Sequence, residues 1–518
     1  SLGYVVPGSL VVGSDSHSNM YGALGALGTP VVRTDAAAIW ATGEFWWQIP
    51  PTIRVTLGGK LPSGVSGKDV IITLCGRYNQ GEVLNTVVEF SGSGLAGLSI
   101  DERMTIANMT TEWGALAGWF PVDEVTIEYL TRREKVLRSR GIGRITAAEL
   151  QRWKTNAPSP DSDAAYAGHI HLNLDEITPH VSGPDSVQVM TAVAEIHNDR
   201  VPVNKAYLVS CVNSRLSDLE EAARVLSGRH VADGVEFYVA AASSEIQEAA
   251  EASGVWKTLV DAGARTLPPG CGPCIGLGAG TLEPGEIGIS ATNRNFKGRM
   301  GSREAKAYLA SPAVVAESAV AGYITGPHLS NGRRPEKTFE ATPQPTVDEA
   351  VDIIEGFPAT LTGRLVLVPR DNLNTDGIYP GDYTYREDMT REDMARVVME
   401  NYDPEFSGRV LPGDILVGGF NFGTGSSREQ AATARHARGI VALIAGSFSQ
   451  NYLRNAYNNG FICIACPELV EYLTSELAGT TPDELTIIPG DLLEIDFARG
   501  RVTLGDRSFR FAPLGSVP

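Results

Sequence analysis

Cys211, in Ser-Cys-Val-Asn-Ser-Arg, and the pair Cys271 and Cys274, in Gly-Cys-Gly-Pro-Cys-Ile-Gly, are the residues of this chain best suited to chemistry. Three thiolates can hold an iron–sulfur cluster by three corners. One iron of a four-iron cluster is then left without a protein ligand, open to a substrate hydroxyl or carboxylate as a Lewis acid. A Cys-x-x-Cys pair is also compatible with a redox couple, half of a zinc site, or small buried hydrophobes. Pro268, Pro269, Gly270, Gly272 and Pro273 narrow the choice, because they forbid a regular helix or strand and force a tight loop that turns both sulfurs toward one point. Cys211 closes a strand expected over residues 206–210. Ser217, three residues before Glu220, predicts the cap of a helix beginning near Asp218.

Four further groups carry polar chemistry. Asp15-Ser16-His17 sits in a glycine-flanked loop after a strand, and reads either as an Asx-type turn with a solvent-facing histidine or as a proton-transfer pair. Arg294 and Arg299, in Asn293-Arg294-Asn295-Phe296-Lys297-Gly298-Arg299, suit bidentate carboxylate binding, although such a pair alone is more often a solvated surface. Ser426, Ser427 and Arg428 follow Gly423-Thr424-Gly425 and lead into a helix expected from Arg428 to His436 and stopped by Gly439. Helix N-terminal amides plus an arginine make an anion site and can stabilise a serine alkoxide; an ordinary capping serine is the simpler alternative. Glu89 ends an apolar strand and reads as a site base or an edge charge. Cys463, Cys466 and Cys75 lie in apolar runs and read as core. His169 and His171 share a strand face, without a cysteine or carboxylate to complete a ligand set.

The elements that must position these groups alternate strand with helix through most of the 518 residues, which is an α/β pattern too long for one core. Strands are expected over 6–12, 53–57, 364–368 and 440–445, with a terminal meander of 485–488, 492–495 and 501–504. A capping box at Ser244 and Gln247 opens a helix, and Ser311-Pro312 starts one that Gly322 ends. Residues 132–163, charged and then rich in Pro, Ser and Asp, read as a surface stretch between lobes. Residues 331–356 read as a linker between a cluster-binding region, 1–330, and a separate domain, 357–518. An apolar strand at the very start leads us to expect a chain lacking N-terminal residues. The net charge of −18 argues against a general nucleic-acid or anionic-membrane surface, and six cysteines in a chain of this length do not make a disulfide framework. No apolar run approaches the ~20 residues of a membrane span.

Taken together the motifs resemble the aconitase superfamily: Gly-Ser-Asp-Ser-His at 13–17, Cys-Val-Asn-Ser-Arg at 211–215, Cys-Gly-Pro-Cys-Ile-Gly at 271–276, Asn-Arg-Asn-Phe-x-Gly-Arg at 293–299 and Gly-Ser-Ser-Arg-Glu at 425–429. They run in the family's order along nearly the whole chain. Residues 19–22, 33–43, 46–50, 105–115 and 374–380 are most similar to the fungal-type homoaconitase branch, with isopropylmalate isomerases also similar. The resemblance implies α/β domains around one [4Fe-4S] cluster, plus a C-terminal swivel domain. It implies Cys211, Cys271 and Cys274 as ligands, Asn213 and Asn293 as cluster supports, and Ser426 as the base. Asp15 and His17 would assist departure of hydroxide, and Arg294, Arg299, Ser427, Arg428 and Glu89 would bind a small polycarboxylate. Arg386, in the loop 381–386, would favour an extra carboxylate on the substrate. The implied activity is hydration of cis-homoaconitate, in lysine biosynthesis by the α-aminoadipate route, by a monomer of the mitochondrial matrix. An isopropylmalate or alkylmalate isomerase is the alternative within the family. A non-catalytic RNA-binding or iron-sensing relative, or a truncated inactive one, is the alternative outside it. The family's N-terminal histidine–aspartate motif and substrate-binding glutamine have no counterpart before Ser1.

Overall fold

The computed structural model of the chain describes residues 2–329, 335–342, 356–384, 386, 388–425, 428–478 and 484–511. The backbone groups into two compact units. One comprises Ser1–Gly13, His17–Thr29 and Pro50–Thr342; the other comprises Ser14–Ser16, Pro30–Ile49 and Pro343–Pro518. Most of the linker expected over 331–356 lies outside the described residues.

The first unit is built on two large sheets, with a small two-stranded one beside them. In the seven-stranded sheet, Arg265–Thr266, Glu236–Val239, Lys205–Leu208, Ile287–Ser290 and Lys306–Leu309 are parallel neighbours in that order, and His180–Ser182 and Met190–Ala192 add an antiparallel edge. Short apolar strands joined through helices give this parallel arrangement, in which both faces are covered. Ala206 and Leu208 pack with Leu219, Ala222, Val314 and Val315 from the helices Leu216–Leu226 and Pro312–Ala321. In the five-stranded sheet, Gly168–Asn173, Thr52–Gly58, Val87–Ser91 and Ala117–Trp119 are parallel, and the helices Gly67–Arg77 and Ile100–Trp113 cover one core.

The second unit has its own sheet. Ile462–Ala465, Ala442–Ala445, Ile415–Gly418 and Thr360–Val368 are parallel. The meander Leu492–Asp496, Arg501–Leu504 and Arg507–Arg510 follows antiparallel. The helix Arg33–Thr42 belongs to this unit. Asp35 on it is buried and accepts from Arg454 Nε at 2.7 Å and Asn458 Nδ2 at 3.0 Å, and the Arg454 guanidinium stacks 3.7 Å from the Trp46 ring.

Several expectations shift. The first strand is only Leu10–Gly13, because Pro7 and Gly8 form a turn closed by Ser9 N donating to Val6 O. The helix expected near Asp218 starts at Leu216, with Arg215 as its cap and Asp218 accepting from Arg215 N at 2.9 Å; Ser217 donates instead to Asp101. Ser243, not Ser244, caps the helix Ser244–Ala252. The meander's third strand is Arg507–Arg510, while residues 485–488 contribute only a single bridge at Ile487. The charged half of 132–163 is helical, Glu124–Ser139 and Ala147–Thr155, and it buries Leu130, Leu137, Leu150 and Trp153 in a small core of its own. Charge on one face of a helix masks an apolar stripe on the other.

Candidate active site

Strand ends position the cysteines. Cys211 follows Lys205–Leu208, the cysteine pair follows Arg265–Thr266, and Asn293 and Arg294 follow Ile287–Ser290. All three strands point the same way in one sheet, so these loops leave from its carboxyl edge, where open parallel sheets place their ligand sites. Ser210, just before Cys211, holds φ 92°, a conformation that L-residues adopt only when surrounding structure enforces it. The cysteine loop is tighter than expected: Gly272–Ile275 closes a 3₁₀ turn, with Cys274 N donating to Cys271 O at 3.0 Å and Gly272 at φ 46°.

A polar relay links the sulfurs of Cys211 and Cys274. Asn108 Nδ2 approaches Cys211 Sγ at 3.8 Å, Asn293 Nδ2 donates to Asn108 Oδ1 at 3.1 Å, and Cys274 Sγ donates to Asn293 Oδ1 at 3.6 Å. Arg299 Nε donates to Cys274 O at 2.9 Å and fixes the loop backbone. Cys271 is exposed, Cys211 half-buried and Cys274 buried. Burial pushes the Cys274 thiol up, against the pull of Arg299 and Arg294. Cys75, Cys463 and Cys466 are instead packed into apolar cores.

A second network adjoins the first through Arg294. Glu112 Oε1 accepts from Arg294 Nε at 2.7 Å and pairs with His17 Nε2 at 2.8 Å. The side chains of Glu112 and Arg294 are 0% and 1% exposed. Burial alone would raise the Glu112 carboxyl; His17 and Arg294 together hold it below the usual glutamate range. His17 reaches this point because Gly22, in the following 3₁₀ turn, lets the chain lie against Gly118, where a Cβ would fall 1.5 Å from the carbonyl oxygen. Glu112 was missed in the sequence, and so was Asn108. Both lie with Thr105 on the helix Ile100–Trp113 at spacings of three and four, a polar stripe that helical periodicity exposes once the helix is drawn.

Other expected residues sit elsewhere. Glu89 is not part of this network: its Oε1 accepts from Arg54 Nη2 at 3.1 Å and from the Tyr166 hydroxyl at 2.8 Å. The buried carboxylate beside Arg294 is Glu112. Asn213 turns its Nδ2 to Asp218 Oδ1 and Thr105 Oγ1, tying the Cys211 loop to two helices. Asp15 is exposed. In the second unit, Arg428 pairs with Asp376 and donates to Tyr379 O at 2.8 Å, at the cap of the helix Glu429–Arg438, which Gly439 ends. Arg386 lies with its guanidinium carbon 5.2 Å from the Tyr383 ring centroid. Ser426 and Ser427 lie outside the described residues.

Three cysteines on loops from one sheet edge are the kind of donor set that holds an iron–sulfur cluster. Arg294 Nη2 and Glu112 Oε2 are buried without a hydrogen-bond partner, which fits a polar ligand beside the thiols. Among the described residues no helix is long and apolar enough to cross a membrane.

Comparison with known proteins identifies the family. The family model for the aconitase family (aconitate hydratase) matches residues 1–322, and that for the aconitase C-terminal domain matches 337–469. The mitochondrial homoaconitase of Candida albicans is 52% identical, over 97% of this chain and 76% of its own length. That of Eremothecium gossypii is 54% identical over 97% and 75%, and that of Cryptococcus neoformans 51% over 99% and 78%.

Proposed function

Because the chain belongs to the aconitase family, we propose that it hydrates cis-homoaconitate reversibly, connecting homocitrate with homoisocitrate, in mitochondria as its relatives' names state. Family membership implies a [4Fe-4S] cluster. Held by Cys211, Cys271 and Cys274, it would supply an iron lacking a protein ligand that polarises the substrate's hydroxyl as a Lewis acid.

The chain's own groups account for the rest. Arg294 has its Nε committed to Glu112, which leaves Nη2 to take a substrate carboxylate oxygen. Arg299 braces the carbonyl of Cys274. Glu112 pairs with His17 Nε2 and holds the ring in place, while His17, in partnership with Asp15, gives the proton with which the departing hydroxide leaves as water. Ser426 takes the proton from the carbon beside a carboxylate, with Ser427 and Arg428 shaping its surroundings. Arg386 is the residue proposed to favour the extra carboxylate of homoaconitate.

The buried His17–Glu112–Arg294 network beside the linked cysteines carries this reading, with the relatives' shared name giving the substrate. The test is anaerobic reconstitution with iron and sulfide, followed by hydration of cis-homoaconitate, cis-aconitate and isopropylmaleate side by side. Cluster-dependent turnover with cis-homoaconitate preferred is expected. Preference for either other substrate refutes the assignment.

A further inference from the structure

Lys68 is the second residue of the helix Gly67–Arg77 and is 0% exposed. Both facts count against a lysine. A cation in the first turn opposes the helix dipole, and burial of an ammonium group is costly unless it is compensated. Burial pushes its pKa down to about 8, although Glu112, Asp218, Cys274 and Asp69 all favour the charged form. The compensation lies across the unit. Lys68 Nζ donates to Ala291 O at 3.3 Å and to Thr292 O at 2.5 Å. Those two carbonyls immediately precede Asn293, which accepts from Cys274 Sγ, and Arg294, which pairs with Glu112. Ser290, Thr292 and Arg294 make local bonds within the same turn, but Lys68 reaches it from a different sheet layer.

The geometry points to Lys68 as a positioning residue: its ammonium clamps the Ala291 and Thr292 carbonyls and thereby sets both Asn293 against Cys274 and Arg294 against the substrate. The inference rests on the proposed assignment of Cys274 and Arg294 to one site, but its first test, by labelling, needs neither cluster nor substrate.

The full chain, stripped of iron with a chelator under reducing conditions, is treated with iodoacetamide, and labelling is read cysteine by cysteine by peptide mass spectrometry. Cys75 is the internal control, since it is fully buried on the same helix as Lys68. In Lys68→Met, Cys274 is expected to label about tenfold faster than in the wild type while Cys75 stays protected, as for a local opening of the 291–294 turn. An unchanged Cys274 rate overturns the inference, and so does an equal acceleration at Cys75, which marks general loosening. Lys68→Gln, which keeps one donor, stands in if the methionine variant is insoluble, with the same criteria; insolubility of both assigns Lys68 to folding and overturns the proposal. In the reconstituted enzyme Lys68→Met is expected to raise KM about tenfold with kcat within about threefold, because misplaced Arg294 weakens carboxylate binding. A fall in kcat at constant KM would overturn it. A failed hydration assay with normal Lys68-dependent labelling would instead count against the substrate assignment alone.

Discussion

Replacing Glu112 with glutamine tests the buried network directly. The substitution keeps shape and one acceptor oxygen but removes the charge that compensates Arg294, whose side chain is 1% exposed and whose Nε lies 2.7 Å from Glu112 Oε1. Removing one member of a buried ion pair costs about 3–5 kcal/mol, because the remaining charge is left uncompensated. The amide still accepts a hydrogen bond, which places Glu112→Gln near the lower end, about 3 kcal/mol. At roughly 2–4 °C per kcal/mol for a large domain, the first unit should melt about 6–12 °C lower. Thermal unfolding followed by circular dichroism, with urea titration as a second measure, reads this on the cluster-free chain. The double variant Glu112→Gln/Arg294→Met should regain at least half of the loss, since it removes the stranded charge as well. The pH dependence has a fixed sign. The folded Glu112 carboxyl lies below its ordinary value of 4.5, so its stabilisation is complete above 4.5 and fades as pH falls through the lower folded value. The gap between wild type and Glu112→Gln should therefore close in acid. A melting point within about 1 °C of the wild type, or a double variant as unstable as the sum of the singles, would refute the argument.

Asp69 should act in the opposite sense. Burial pushes it up to about 6 from 3.8, so the folded state holds its proton more tightly and stability falls as pH rises through that window. Asp69→Asn should flatten the decline, read as urea midpoints between about pH 4 and about pH 6.5. Arg454→Met should strand Asp35 and release residues 30–49 from the second unit, at a cost of about 3–5 kcal/mol, with faster chymotryptic cleavage at Trp46 and Trp47. Unchanged cleavage would mean the helix Arg33–Thr42 is held by other contacts. Arg386→Leu should lower the preference for cis-homoaconitate over isopropylmaleate about ten- to hundredfold in kcat/KM, the value of one charged hydrogen bond. An unchanged ratio would remove Arg386 from substrate selection.

Local chemistry was legible in the residues themselves. The glycines and prolines around Cys271 and Cys274 dictate a turn whatever surrounds it, and the observed 3₁₀ turn follows from them. Pro312 and Gly322 bound a helix for reasons confined to one or two residues. The α/β pattern was readable from the alternation of strand and helix along the chain. Pairings between distant residues were not readable. Glu89 and Glu112 are both acidic residues in apolar surroundings. One meets Arg54 and Tyr166, and the other meets His17 and Arg294 across 95 and 182 positions of sequence. Which carboxylate meets His17 and Arg294 depends on how two sheets and a helix pack, and no local pattern encodes that. The same holds for Lys68, whose charge reads as surface until a strand 223 residues away brings its carbonyls to it. It holds also for Pro30–Ile49, which group with the distant C-terminal unit because Arg454 and Asn458 hold Asp35 there. The sequence determined which groups could react, through residue type and neighbouring backbone constraints. Tertiary structure decided which of them meet, because a buried charge is stable only where the fold supplies its partner.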